Sequence, residues 1–294
     1  MNTTHGWWQR RASYDVDGAI ALYDPNGPAA IIAFLVFGAV AVAYWIRYFR
    51  AQKPWPRYML SVILGTTFTS LGYLCRFTRR NHINAWSWLF ETIFILCSPC
   101  AFLAQIYVLL PRLAADLQAE RLLPTHRRFI KSFFIVADVT TVLAQLAGTA
   151  LTITFGRLVK IGHIVVTVGL WVQLVCFLSF VVIYVVFGRR LSRAGLWPDR
   201  RSWRDLTAAS SLYVALGACC GLMFIRSIYR VAEYTAGGDS TLARSETAFY
   251  ILDTVPMLCL SLSLLVVWAP AALQTSRDSS LQLKHRSRGL GVTH

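Results

Sequence analysis

The stretch that decides the fold, residues 226–253, reads RSIYRVAEYTAGGDSTLARSETAFYILD. An apolar run enters it at Leu206, and a second apolar run leaves it and ends near Trp268. Each run is long enough to span a bilayer. The charged side chains therefore lie near the ends of two predicted membrane helices joined by a short Gly-rich loop. A charged side chain within a membrane helix costs free energy unless an opposite charge pairs with it, so this stretch is a candidate functional site.

The charges of this stretch repeat one spacing in both helices. Arg226, Arg230 and Glu233 lie at i, i+4 and i+7, which places them on one helix face. The second helix repeats the spacing with Glu246, Tyr250 and Asp253. The pattern predicts a hairpin in which charged faces of the two helices meet.

A turn centred on residues 239 and 240 would set the register of this hairpin. Arg226 and Asp253 are equally far from that turn, so they would lie at one depth. An ion pair between them would cost less than either charge alone. Arg230 is then expected to lie between the two glutamates of the hairpin. Pro256, just below Asp253, predicts a hinge in the second helix.

The composition of the chain points to a membrane protein. Of 294 residues, 56% are hydrophobic, which is rare in a soluble domain of this size. Seven apolar windows have the length, roughly 20 residues, that a helix needs to cross a bilayer. The windows are Pro28–Ile46, Tyr58–Phe77, Trp86–Leu110, Phe129–Phe155, Ile161–Phe187, Leu206–Ile228 and Thr247–Trp268. They predict an all-α integral membrane protein, a seven-transmembrane-helix bundle over residues 28–268.

The distribution of positive charge predicts the orientation. The four segments that share a side with the C-terminus hold 19 Lys and Arg residues, whereas those on the opposite side hold 8. The positive-inside rule puts the C-terminus in the cytoplasm and the N-terminus outside. Residues 1–27 are then an extracytoplasmic segment, and residues 269–294 a disordered basic tail in the cytoplasm. Basic loops facing anionic lipid account for the net charge of +15, so no nucleic acid partner is expected.

Two charges lie within the second and third windows. Arg76 could extend toward the lipid head groups or form an internal ion pair. A lone carboxylate at Glu91 would be neutralised or paired. Arg76 is the partner that would require the least free energy, because the two residues lie at similar depth in the membrane.

The fourth and fifth windows carry polar side chains near mid-membrane. Asp138, Thr141 and Gln145 lie at i, i+3 and i+7 on one helix face. Asp138 could be a protonated side chain bonded to a neighbouring hydroxyl, or it could face substrate or carry protons. Gln145 and Gln173 could simply bond two helices together, or they could line a cavity with Asp138.

The seven cysteines all fall within the apolar windows, where they are expected to pack as small apolar residues. Residues 97–100, Cys-Ser-Pro-Cys, have redox-motif spacing but lie inside a predicted membrane helix, so neither a redox nor a metal role is expected. The chain has no Walker-type phosphate-binding motif, and no cofactor is expected.

Several motifs in this order carry a family resemblance. The most specific is Arg226-x2-Tyr-Arg-x2-Glu-x3-Gly237 followed by Glu246-x3-Tyr-x2-Asp253. Supporting matches are Gly72-Tyr73-x2-Arg76, Glu91-x7-Pro99 with Tyr107, Asp138-x6-Gln145-x2-Gly148 and Gly162-x6-Gly169-Leu-x2-Gln173. Over residues 28–268 the chain resembles the fungal lipid-translocating exporter (RTA-like) family of seven-helix membrane proteins. One position departs from the pattern: Thr69 stands where members often carry Glu.

The resemblance implies the translocation of amphipathic lipids such as sphingoid bases, or resistance to lipophilic toxins. The expected partners are membrane lipids and amphipathic small molecules, while the sequence names no protein partner; the plasma membrane is the expected location. The candidate binding and translocation residues are Asp138, Gln145, Gln173, Glu91 and Asp253. The expected charge network comprises Arg76, Arg226, Arg230, Glu233 and Glu246. A cationic head group, such as an amine, would prefer the acidic cluster of Glu91, Glu233, Glu246 and Asp253. Active transport would use Asp138, Asp253 or Glu91 as the proton carrier.

Two other functions stay open on the sequence alone. A seven-helix lipid sensor or receptor has the same topology, although the loops are short and no rhodopsin-like cytoplasmic signature is present. A small terpene-cyclase-like membrane enzyme could use Glu91 or Asp253 as a proton donor. The adjacent arginines favour the ionised carboxylates, so an enzyme is not expected.

Overall fold

A computed structural model describes residues 27–51, 55–81, 85–154, 159–195, 209–236 and 245–273. These residues contain seven helices that are long and apolar enough to cross a membrane. The helices are α1 Gly27–Arg50, α2 Leu60–Asn81, α3 Ala85–Asp116, α4 Arg127–Thr154, α5 Val159–Arg193, α6 Ala209–Ala236 and α7 Glu246–Val266. Short 3-10 helices precede α2 and α4. The predicted all-α bundle of seven membrane-spanning helices is confirmed.

The helices extend beyond the apolar windows, because helical hydrogen bonding does not stop where the hydrocarbon ends. The clearest case is α6, which continues past Ile228 to Ala236 and so makes Arg230 and Glu233 helical. The start of the sixth window at Leu206 and the turn at residues 239 and 240 lie outside the described residues. So do residues 1–26 and 274–294, and the orientation in the membrane stays a prediction.

Helices that are neighbours in the chain are also neighbours in space, and α7 returns to α1. Tyr44 closes this ring by donating its hydroxyl to the Ser261 carbonyl of α7 over 2.7 Å. Helix α3 lies in the interior of the bundle, where it contacts α2, α4 and α6. Because α3 reaches α6 across the bundle, side chains from nonadjacent helices can meet in the interior.

The exterior of the bundle is apolar. Large aliphatic side chains such as Ile32, Leu143 and Val182 are more than three-fifths exposed. Polar side chains, by contrast, are buried on α2, α3, α4, α6 and α7. A lipid environment explains this arrangement, because polar groups there must find partners inside the protein.

Small residues bring α4 and α5 close together. A Cβ atom added to Gly148 would lie 2.9 Å from the Gly162 carbonyl oxygen. A Cβ atom added to Gly169 would lie 2.9 Å from Cγ of Gln145. Such close approach is the usual role of small residues between membrane helices, and it places Gln145 against α5.

The α7 helix has an irregular turn in its first half. Residues Glu246–Phe249 are α-helical, Tyr250–Thr254 form a π turn, and the α-helix resumes at Val255. Pro256 has no backbone N–H, so it cannot continue the ladder of i to i−4 hydrogen bonds, and the wider turn accommodates it. Asp253 lies inside this turn. The sequence predicted a hinge here, and the structure adds the π turn; the hinge motion stays a prediction.

Candidate functional site

The α6–α7 pair is held by one buried carboxylate between two arginines. Arg226 Nη2 lies 3.1 Å from Asp253 Oδ1, as the hairpin register predicted. Arg230 Nε donates to the same oxygen over 2.7 Å, and its Nη1 lies 3.1 Å from Glu233 Oε2. The carboxylates of Asp253 and Glu233 therefore balance the two guanidinium groups inside the bundle.

The expected place of Arg230 between the two glutamates is wrong in one respect. Glu233 is its partner, but Glu246 instead lies 3.9 Å from Nη2 of Arg76 on α2. Phe249 of α7 lies level with Arg230, and its ring centre is 5.4 Å from the guanidinium carbon of Arg230. The ring occupies the space beside Arg230, and the guanidinium turns toward Asp253.

Arg76 forms the second half of the charge network. Its Nη1 lies 3.3 Å from Glu91 Oε1, which confirms the internal pair, and only 5% of the residue is exposed. Extension to the lipid head groups is therefore not its role. The Arg76 guanidinium also lies 4.4 Å from the ring centre of Phe249. Because Phe249 contacts Arg76 and Arg230, it links the two halves of the network through cation–π contacts.

Thr69, where the family resemblance leads one to expect Glu, makes a neutral contact. Its hydroxyl donates to the Gly65 carbonyl over 2.9 Å and lies 2.5 Å from the Ser98 hydroxyl of α3. In this chain a hydrogen bond thus joins α2 to α3 at that position, and Arg76 finds its counter-charges elsewhere.

Two glutamines connect α3, α4 and α5 at the centre of the bundle. Gln145 Nε2 on α4 donates to Gln173 Oε1 on α5 over 3.1 Å. Gln173 Nε2 in turn donates to Cys100 Sγ on α3 over 3.6 Å. The predicted amide pair is present, and it reaches a thiol of the Cys-Ser-Pro-Cys segment.

A cavity lies where the glutamine pair meets the charge network. Gln145 and Gln173 form part of its wall, and Arg226 and Arg230 form another part. Apolar side chains of α3, α5 and α6 complete the lining, together with Ser227 and Tyr234 of α6. The volume open to the centres of water molecules is about 30 Å³. That volume has room for about two waters.

Two residues of the cavity wall carry polar atoms that the described part of the chain leaves without a hydrogen bond. They are Oε1 of Gln145, an acceptor, and Nε of Arg226, a donor. Both residues are buried, with 0% and 7% of their surface exposed. Buried polar atoms of this kind are rare in folded proteins. Because these two have almost no accessible surface, a ligand in the cavity reaches them only if the side chains move.

Asp138 is not among the residues that line this cavity. It is 2% exposed, and neither carboxyl oxygen has a hydrogen bond of ordinary geometry to the described residues. The Tyr107 hydroxyl and the thiols of Cys100 and Cys176 lie close enough to interact with it electrostatically. The buried face predicted on α4 therefore divides between Gln145 in the cavity and Asp138 against α3.

The sequence-predicted residues thus fall into two sets. Gln145 and Gln173 line the cavity, whereas Glu91 and Asp253 are engaged by arginines and do not line it. Sequence reasoning placed Arg226 and Arg230 only in the charge network and missed their place in the cavity wall. The signal lay in their periodicity, because residues 223, 226, 227, 230 and 234 form one stripe of α6 that faces the cavity.

Comparison with known proteins finds one matching family model and several related fungal proteins. A sequence model described as RTA1 like protein matches residues 62–277. Protein RTA1 of Saccharomyces cerevisiae is 30% identical over 70% of this chain and 64% of its own length. Protoporphyrin uptake protein 1 of the same yeast is 27% identical over 66% and 63% of the two chains. A probable lipid transporter of Emericella nidulans, atnI, is 24% identical over 89% and 70%.

The matched region spans slightly less than two thirds of each of those two yeast proteins. No solved structure matches the chain.

We predict that Asp253→Asn strongly destabilises the protein, because it leaves two buried guanidinium groups with one carboxylate fewer. The expected loss is about 3–5 kcal/mol, the usual cost of removing one partner of a buried ion pair. The matched control is Glu120→Gln, which breaks the exposed 2.8 Å pair with Arg127. It should cost less than about 1 kcal/mol. Thermal unfolding in detergent micelles measures both, and equal unfolding temperatures would contradict the prediction.

Proposed function

Since the chain belongs to the RTA1-like family of membrane proteins, we propose that it moves lipophilic molecules with a polar head group across a membrane. The observation that carries the proposal is the cavity inside the bundle, which joins an amide pair to two arginines. A polar head group crossing hydrocarbon loses its hydration. Polar side chains near the middle of the bundle lower that cost by replacing part of the lost water.

The size of the cavity limits what it holds in this conformation. A volume of about 30 Å³ fits a small head group, not a whole amphiphile. Transport therefore requires the helices to part so that the hydrocarbon chain follows the head. The π turn in α7, which contains the Asp253 that pairs with Arg226 and Arg230, is the proposed point of movement. Breaking the regular helix there lets one half of α7 tilt while the other half stays packed.

Relatives support the class of cargo in general terms. One bears the name of a protoporphyrin uptake protein and another that of a probable lipid transporter. For this chain we propose amphipathic lipids or lipophilic toxins as cargo, carried in the plasma membrane with the C-terminus in the cytoplasm. The positive-charge bias of the loops supports that orientation.

The two other functions find less support. A receptor would bind a head group in the same cavity without moving it, so a flux measurement separates it from a transporter. A cyclase-like enzyme needs a carboxylic acid that donates a proton. Glu91 and Asp253 both accept hydrogen bonds from guanidinium groups, which is the arrangement of ionised carboxylates. Two of the relatives, too, bear the names of an uptake protein and a probable lipid transporter.

Asp138 is the proposed proton carrier if transport is coupled to a proton gradient. Unlike Glu91 and Asp253, it can gain or lose a proton without breaking an ion pair of the described residues. The groups around it are the Tyr107 hydroxyl and the thiols of Cys100 and Cys176. Cys100 in turn accepts a hydrogen bond from Gln173, which lines the cavity.

We predict that Gln145→Leu slows translocation by about tenfold, because the cavity loses a polar group that a head group needs. The full chain, purified and reconstituted in phosphatidylcholine vesicles, is tested with fluorescent amphiphiles whose transfer between leaflets is followed by chemical quenching. Gly221→Ala is the matched control, since its added methyl group meets no atom within 4 Å. Saturable binding without any transfer by the unmodified protein would favour the receptor instead.

A second prediction concerns Asp138→Asn in the same vesicles. The substitution preserves shape but cannot exchange a proton. We expect it to remove the effect of an imposed pH gradient on the transfer rate while leaving the unfolding temperature nearly unchanged. If the variant responds to the gradient as the unmodified protein does, Asp138 carries no protons in transport.

A further inference from the structure

We propose that cargo reaches the cavity from the surrounding lipid through the seam between α5 and α6, which opens beside the cavity and stays closed in the other half of the two helices. This inference rests on the proposed function and adds the path by which the substrate of that site enters. It starts from the unequal way in which α5 and α6 contact each other along their length.

Helices α5 and α6 run antiparallel and keep one register. The ring of Tyr184 stacks on that of Tyr213 with 4.5 Å between the ring centres. Nearer the other end of the pair, the ring centre of His163 lies 6.2 Å from that of Tyr234. The segments between these contacts, 163–184 and 213–234, have the same length, so residues equally far from a contact lie level with each other.

The cavity lies between the two helices in one half of this register. There Val166 is level with Val231, and Leu170 is level with Ser227. Both Leu170 and Ser227 line the cavity. The side chains that close the seam at this level are aliphatic, and we call them the seam cluster: Val166, Leu170, Leu174 and Val231. In the described part of the chain this cluster is separate from the main apolar core.

The other half of the seam is held by polar groups and by close packing. The Tyr184 hydroxyl donates to the Tyr213 carbonyl over 2.8 Å, and the Tyr213 hydroxyl donates to the Tyr184 carbonyl over 3.3 Å. A Cβ atom added to Gly217 would lie 2.6 Å from the Tyr184 hydroxyl, and one added to Gly188 would overlap the Tyr213 hydroxyl. We call this the tyrosine half of the seam.

The lipid environment makes the two halves unequally costly to open. Side chains that leave the seam cluster meet lipid tails as apolar as themselves, so opening there loses packing contacts but no hydrophobic burial. Parting Tyr184 from Tyr213 would leave two hydroxyls without partners in hydrocarbon. The seam therefore opens at the cluster, while the tyrosine half holds the helices together.

The neighbouring seams beside the cavity are harder to open. Close packing at Gly169 and the bond from Gln145 to Gln173 hold α4 to α5. The ion pairs of Asp253 hold α6 to α7. Of these three seams between described helices, α5–α6 is thus the one closed beside the cavity by aliphatic side chains. Because the ion pairs tie α6 to α7, a tilt at the π turn would carry α6 away from α5.

The outer face of the seam is suited to a hydrocarbon chain. Trp171 of α5 and Phe224 and Ile228 of α6 are exposed on the apolar exterior of the bundle. A chain lying in the opened seam would remain in contact with lipid while its polar head occupied the cavity. This arrangement explains how a cavity that fits only a head group serves a whole amphiphile.

Photo-labelling of the unmodified full chain in phosphatidylcholine nanodiscs tests this inference. The probe is hexadecanol with a diazirine in the middle of its chain, and mass spectrometry identifies the labelled residues. Phe177 and Leu216, which are buried in the tyrosine half, are the comparison for the seam cluster. Val168 and Val182, which are exposed in the two halves of α5, normalise the labelling. We expect at least about tenfold more label in the cluster, because opening the tyrosine half breaks two hydrogen bonds.

Val231→Ala tests whether the seam cluster controls access. The substitution removes two methyl groups from the cluster, so we expect labelling of Leu170 and Leu174 to rise about threefold as less packing opposes opening. Val214→Ala is the matched control, because Val214 lies on the same helix outside the cluster and is 43% exposed. It should leave the labelling of the cluster unchanged. Leu170→Val is the second variant, should the first fail to fold.

The possible outcomes separate this inference from the proposed function. Equal labelling of the two halves, or labelling of Val168 without any in the seam cluster, overturns the proposed entrance. In that case transfer between leaflets by the same protein would leave transport intact. Labelling of the cluster without transfer keeps the entrance and contradicts transport. Unchanged labelling in both Val231→Ala and Leu170→Val overturns the role of the cluster as the barrier.

Discussion

The structure depends on a constraint that lipid imposes: a charge inside a membrane helix needs a counter-charge within the protein. Asp253 pairs with both Arg226 and Arg230, with Glu233 as the second counter-charge, and so it fixes α6 against α7. The π turn that holds Asp253 is followed two residues later by Pro256, which cannot donate to the helical ladder. An irregularity of the backbone and a buried ion cluster thus occur at one place, which is where a moving part of the bundle is expected.

From this cluster the polar interior extends in two directions. Through Phe249 it reaches Arg76, so that α2, α3, α6 and α7 share one network. Through the cavity it reaches the amide pair of Gln145 and Gln173 and hence α4 and α5. Opening the cavity would therefore disturb the ion cluster, which couples access to the site with the packing of α7. That coupling is the physical basis of the proposed transport cycle.

The sequence predicted those features that follow from periodicity and from the lipid environment. The seven helices follow from apolar length, and the Arg226–Asp253 pair follows from helical spacing and a symmetric turn. The partner of Glu246 could not be predicted, because Arg76 reaches it from a helix distant in the chain. The cavity could not be predicted from the sequence either, because it depends on the contact between α3 and α6 and on the close approach at Gly169. Such packing details come from side-chain shape rather than from any pattern along the chain.

A double-mutant cycle between Arg230 and Asp253 tests the central claim most directly. The free energy of unfolding in detergent is measured for Arg230→Met, Asp253→Asn, the double variant and the unmodified chain. If the two side chains form a buried pair that holds α6 to α7, the double variant is more stable than the sum of the single effects predicts. The coupling should be about 2–3 kcal/mol, the upper part of the usual range for residues in contact. Additive effects, with a coupling near zero, would contradict the account.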